Sequence, residues 1–130
     1  MDIVIDTSAL LAVILGQPER DRIVRITAGN ALIGPGCIPW EIGNAFSGMF
    51  RQRRMALGEA QKGLGIFQTV PIRYVTIDFA HTLQLSQEAK LYAYDAYFLE
   101  CALRGAAPLL TLDAAMKRAA QSLRIRVLEV

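Results

Sequence analysis

Four carboxylates stand where a carboxylate can do chemistry: Asp6, Glu41, Asp95 and Asp113. Asp6 follows the β-branched run Ile3-Val4-Ile5 and precedes Thr7 and Ser8, both natural helix N-caps. Glu41 follows Cys37-Ile38-Pro39-Trp40, Asp95 lies within Leu91-Tyr-Ala-Tyr-Asp-Ala-Tyr-Phe98, and Asp113 follows Leu109-Leu110-Thr111-Leu112. Each therefore belongs to a strand-to-helix junction or a helix start. In an open α/β sheet such positions face one crevice at the carboxyl edge, where ligands bind. Any one of these acids could simply cap its helix or complement the helix dipole. Four in series are harder to explain that way. Packed together they repel and raise one another's pKa, a tension that a hard divalent cation relieves. Magnesium takes an octahedron of oxygens and keeps several waters, so a few carboxylates plus substrate phosphate oxygens suffice. The chemistry such an ion brings is at a phosphoryl group, which it polarises while acidifying a bound water and neutralising charge on the leaving oxygen. Ser8 and Thr111, each two residues from an acid, can orient a carboxylate or a water. Helix capping and strand-end hydrogen bonding account for them equally well.

Other chemistries lack their residues. His81 is the only histidine and reads as a surface or packing residue, while Cys37 and Cys101 are two distant thiols. A zinc site, a Ser-His-Asp triad and a disulfide scaffold are all excluded on those counts. A phosphoacceptor signalling domain needs a paired acid at the first strand and a lysine closing a late one, yet lysines occur only at 62, 90 and 117. An aspartyl-phosphate phosphohydrolase would carry a second Asp two residues beyond Asp6, where Ser8 stands. A non-catalytic protein-binding module is the alternative from a different class. It gives no reason to keep four mutually repelling acids.

The acids need a scaffold, and 130 residues at 53% hydrophobic suit one α/β domain spanning 1–130. The expected architecture is a three-layer α/β/α sandwich around a central, mostly parallel sheet, whose strands are apolar throughout. Strand one is Ile3–Ile5, followed by a helix with Leu10, Leu11, Ile14 and Leu15 on its apolar face. Pro18 is placed to open a second helix, which stops at Gly29-Asn30. Ala31–Ile33 and Cys37-Ile38 flank a Gly-Pro-Gly turn, and at least the latter part is expected to be strand two. Pro39-Trp40-Glu41 opens a helix ending in Arg51–Arg54. Residues 57–69 read as a helix weakened by Gly63 and Gly65. Residues 71–77 read as a strand and Asp78 as a helix cap. Asp95 lies early in a helix stopped by Gly105, Pro108–Thr111 is a short strand, Asp113 starts a helix, and residues 125–128 close the sheet.

The formal net charge of +2 says little about partners, but Arg51, Arg53 and Arg54 cluster beside the second acidic segment. They suit a polyanionic substrate, and equally a solvated helix end. No charge-free apolar run is long enough to span a membrane without Gly and Pro interrupting it, and no basic leader precedes the first strand. The expectation is a cytoplasmic protein with free thiols.

Asp6-Thr-Ser-Ala-Leu10, Trp40-Glu-Ile-Gly-Asn-Ala-Phe46, Tyr94-Asp-Ala-Tyr97 and Leu110-Thr-Leu-Asp113 resemble the four motifs of the PIN-domain family. More narrowly, the whole chain resembles the VapC-type toxins of toxin–antitoxin pairs. The resemblance implies a PIN-like sandwich and a Mg²⁺- or Mn²⁺-dependent endoribonuclease with Asp6, Glu41, Asp95 and Asp113 as its catalytic and metal-holding quartet. It gives Ser8 and Thr111 the hydroxyl positions and Asn44 a supporting polar position one turn after Glu41. It further implies a homodimer, silenced by an antitoxin lying across the active-site groove, with the Arg51–Arg54 cluster gripping RNA or that antitoxin. Gly63 and Gly65, inside an expected helix, are the main departure.

Overall fold

The first strand is the axis of the fold, because its β-branched residues demand cover on both faces. In the computed structural model, which describes residues 1–130, Ile3, Val4 and Ile5 are 0–1% exposed. The elements run β1 (Asp2–Ile5), α1 (Thr7–Ile14), α2 (Arg20–Thr27), β2 (Ala31–Gly34), α3 (Ile38–Arg51) and α4 (Leu57–Thr69). They continue with β3 (Ile72–Tyr74), α5 (Phe79–Ala89), α6 (Ala93–Gly105), β4 (Leu109–Leu110) and α7 (Ala114–Ser122). The sheet order is β3-β2-β1-β4, all parallel. Val4 is the hub of the register, opposite Ile33 on one side and Leu109 on the other. The α6 helix packs on β1, β2 and β4 and is backed by α5, while α1 gathers α2, α3 and α4 into the other helical layer. One core of 28 buried residues fills the space between. The α/β sandwich expected from the sequence is the one observed.

This strand order matters for function. The chain leaves β1 toward β2 and β3 on one side, and β4 returns to the other, so the order reverses between β1 and β4. Residues that follow those two strands line the crevice at that reversal.

Two expected strands are corrected. The second strand is Ala31–Gly34, and Cys37-Ile38 belongs to the first turn of α3. Pro39 explains this: it cannot donate to a sheet ladder, but its fixed φ and missing N–H fit a helix's first turn. The reversal is tight enough that a Cβ on Gly34 would lie 2.4 Å from Ile38 Cδ1. The closing strand shrinks to a single parallel bridge between Leu109 and Val127. Leu109 donates to the Arg126 carbonyl at 2.8 Å and accepts from Leu128 at 2.9 Å, and β4 is too short to pair further. Smaller shifts occur at helix ends: α2 begins at Arg20, not Pro18, and α6 runs through Gly105 to a left-handed Ala106 (φ 47°).

The glycines of α4 separate into two kinds. A Cβ on Gly63 would meet Ile14 Cγ2 at 3.0 Å and Phe46 Cζ at 3.1 Å, so this glycine lets α4 approach α1 and α3 closely. Gly65 faces open space. Gly65→Ala is therefore expected to stabilise the fold by about 0.5–1 kcal/mol through helix propensity alone, read as a raised denaturant midpoint. Gly63→Ala should not share that gain.

Candidate active site

Asp6 ends β1 and caps α1, and its position leaves it only 3% exposed. Its Oδ1 accepts the Ala9 N–H at 3.0 Å and the Ser8 hydroxyl at 2.7 Å, and its Oδ2 accepts the Thr111 hydroxyl. Burial pushes its pKa up, against the pull of those three hydrogen bonds, and the Asp113 charge adds to the rise. Asp113 caps α7 through an Oδ1 that accepts the Met116 N–H at 2.9 Å. The two junctions are stitched together by the hydroxyls that the sequence singled out. Thr111 Oγ1 accepts the Asp113 N–H at 3.0 Å while donating to Asp6. Ser8 Oγ accepts the Leu112 N–H at 3.0 Å while donating to Asp6. Every polar atom of this buried knot has a partner.

Glu41 and Asp95 occupy the first turns of α3 and α6, where the helix dipole favours an anion. Glu41 Oε1 accepts the Thr7 hydroxyl at 2.8 Å, and Oε2 accepts the Cys37 thiol at 3.2 Å. Desolvation raises its pKa and the charges of Asp95 and Asp6 raise it further, while those two hydrogen bonds oppose the rise. Burial and the neighbouring Glu41 push the Cys37 thiol up to about 12, so it stays protonated and able to donate. Asp95 accepts no hydrogen bond from the protein, and desolvation followed by the Asp113 charge raises its pKa. The four acids thus come from four elements and feel one another as charges: Asp6 with Asp113 and Glu41, Glu41 with Asp95, Asp95 with Asp113.

They do not form a closed cage, since no three Asp, Glu, His or Cys side chains converge closely enough to hold an ion. The donor set still fits a hard divalent cation. It is all carboxylate oxygen, burial disfavours the charged forms of Asp6, Glu41 and Asp95, and Asp95 has no competing donor. An ion of the magnesium type completes such a shell with water and substrate oxygens.

The remaining predicted residues are more dispersed. Asn44 is exposed on α3 and lines a cleft of about 510 Å³ with Thr7, Trp40, Glu41, Ala45 and Tyr94. Arg51, Arg53 and Arg54 are exposed at and beyond the far end of α3, ten or more residues after Glu41, or about 15 Å along the axis. They do not join the acids. His81 lies against Glu100, a 3%-exposed acid on α6 outside the quartet. Sequence reasoning missed Thr7, which looked like a spare helix cap, and Cys37, which looked like an inert thiol. It also missed Trp40 and Tyr94, each immediately before a quartet acid.

No curated protein matches the chain significantly. Among solved structures, PAE2754 from Pyrobaculum aerophilum is similar with a TM-score of 0.72 at 19% identity, over 92% of this chain and 79% of that one. VapBC2 from Rickettsia felis, solved bound to a DNA fragment from its promoter, gives 0.67 at 15% identity over 99% and 98%. A toxin–antitoxin complex from Klebsiella pneumoniae gives 0.57 at 23% over 85% and 86%. At these identities the neighbours establish the fold. The PIN-domain family model, by contrast, matches residues 3–122 and so takes in all four acids and both bridging hydroxyls. The parallel sheet, the acids at its carboxyl edge and this match agree, and the chain belongs to the PIN-domain family.

Proposed function

We propose that the chain is a Mg²⁺- or Mn²⁺-dependent endoribonuclease, the cytoplasmic toxin of a VapBC-type toxin–antitoxin pair. PIN domains are generally nucleases. The observation that carries the proposal is the placement of Asp6, Glu41, Asp95 and Asp113 at four helix starts, with Asp6 and Asp113 tied together through Ser8 and Thr111 at the reversal of the sheet. Asp95 and Asp113, with carboxylate oxygens free of protein donors, would hold the ion directly. Glu41, steadied by Thr7 and Cys37, completes the acidic rim. Asp6 has the deepest seat and fixes the relation of the two junctions through Ser8 and Thr111. When bound, the ion supplies charge neutralisation at the phosphoryl group and a more acidic water. Arg51, Arg53 and Arg54, exposed at and beyond the end of α3, would meet RNA phosphates away from the cut or acidic groups of an antitoxin. The toxin–antitoxin assemblies among the structural neighbours support an antitoxin as partner, and a homodimer as the working unit is part of the same proposal.

A non-catalytic binding module is the second reading, favoured by the absence of a closed cation cage. One experiment separates the two. The purified chain is incubated with single-stranded RNA in Mg²⁺, Mn²⁺ or EDTA, with thermal melts alongside. A nuclease cuts only with metal and melts higher with it, because a ligand specific to the folded state stabilises that state. Uncut RNA in both metals, at chain concentrations well above those of the RNA, would leave the binding module.

A further inference from the structure

The cleft beside the acids has a wall that metal chemistry does not use. Trp40 is 74% exposed and Tyr94 57% exposed, although large aromatic rings are among the side chains most favoured by burial. They stand on different helices, α3 and α6, and each immediately precedes a quartet acid. Successive helical residues point about 100° apart, so each ring flanks the carboxylate that follows it. Both rings line the cleft that holds Glu41 and Asn44, whose volume of about 510 Å³ lies in the range of small-ligand sites. Tyr94 is steadied by an edge-to-face contact with Tyr97, with centroids 5.8 Å apart and planes at 89°. Tyr97 is steadied in turn by Phe79 at 5.8 Å and 81°.

We propose that Trp40 and Tyr94 hold one unpaired nucleobase of the RNA substrate against Asn44, presenting its neighbouring phosphodiester to the acids. This deepens the nuclease proposal above and presupposes it. A nucleobase suits this cleft because it offers a π-face to the rings and a hydrogen-bonding edge to the Asn44 amide. An aliphatic side chain would leave that amide facing apolar surface. A paired base cannot enter, since its faces are stacked and its Watson–Crick edge is occupied. The substrate class is therefore single-stranded RNA or a loop. Stacking tolerates any base, so sequence preference at this position falls to Asn44.

Trp40 is the only tryptophan, so selectively excited indole emission reports this cleft alone. The uncleaving Asp95→Asn chain is titrated in Mg²⁺ with oligoadenylate, oligouridylate, the duplex of the two, and polyphosphate. Quenching by the single strands but by neither duplex nor polyphosphate is the expected result. Tyr94→Ala should then raise the single-strand Kd roughly 5- to 100-fold, and Tyr94→Phe should restore it. Equal quenching by the duplex, or silent emission with every oligonucleotide, overturns the clamp; silence leaves the rings to a protein partner. Cleavage assays keep the two proposals apart. If the Trp40→Ala, Tyr94→Ala chain retains full kcat/KM on single-stranded RNA, the nuclease stands and the clamp falls. Base-dependent quenching in a chain that never cuts keeps base capture and removes the nuclease.

Discussion

Asp95→Asn is expected to lower metal-dependent RNA cleavage by about 100- to 10,000-fold while leaving the fold intact. The size follows from the several kcal/mol of charge stabilisation that a metal ion supplies, at about 1.4 kcal/mol per tenfold in rate. Asp95 is the informative position because it accepts no hydrogen bond from the protein, whereas Asp6, Glu41 and Asp113 each serve a structural contact as well. An amide of the same shape removes the charge and nothing else. Without metal that removal helps the fold, since it relieves both the desolvation of Asp95 and its repulsion by Asp113. The variant should melt at or slightly above wild type in EDTA, and the upward shift expected of the wild type in Mg²⁺ should be absent. Cleavage at the wild-type rate would remove Asp95 from the site. A large fall in melting temperature in EDTA would mean that the carboxylate is structural after all.

Much of this site was legible because strand ends announce themselves. A β-branched run cut off by an acid and a hydroxyl, as in Ile3 to Ser8, encodes strand, junction and cap together, and Thr111 to Asp113 repeats the pattern. Both acids proved to be helix N-caps joined through the predicted hydroxyls. Glu41 was found in a helix start, but with its preceding strand misplaced. Cys37-Ile38 looks extended by propensity, and Pro39 in the first turn of α3 and the tight approach of Gly34 to Ile38 decide against it. What propensity cannot express is contact between distant segments. The Thr7 hydroxyl meets Glu41 across 34 positions, and Gly63 makes sense only once Ile14 and Phe46 lie against it. Local reading put the acids at helix starts, as they are; their partners come from the topology.

Thr111→Val tests the knot that joins the two junctions. Valine preserves the volume at a site that is 0% exposed but removes the hydroxyl that serves Asp6 Oδ2 and the Asp113 N–H at once. Leaving such groups without partners costs about 1–3 kcal/mol, so the melting temperature should fall by several degrees at neutral pH. Cleavage should fall by about 10- to 100-fold, the usual consequence of losing a group that orients a metal-holding side chain. Thr111→Ser, which keeps the hydroxyl, should lose much less of either. The pH dependence identifies the cause. The Asp6 pKa is raised in the folded state, first by burial, so the folded chain keeps a proton that the unfolded chain releases at about 3.9. Its contribution to stability is therefore greatest below the unfolded value and declines as pH rises through the folded one. The Thr111 hydrogen bond favours the ionised carboxyl, and its loss raises the folded pKa further and carries the decline to higher pH. The gap between wild type and Thr111→Val should be smallest in acid, where the lost Asp113 N–H acceptor still counts, and widen toward neutrality, as checked by melts across that range in EDTA. A gap that stays constant with pH would assign the hydroxyl's value to the Asp113 N–H alone, leaving the charge of Asp6 to be carried by Ser8 and Ala9.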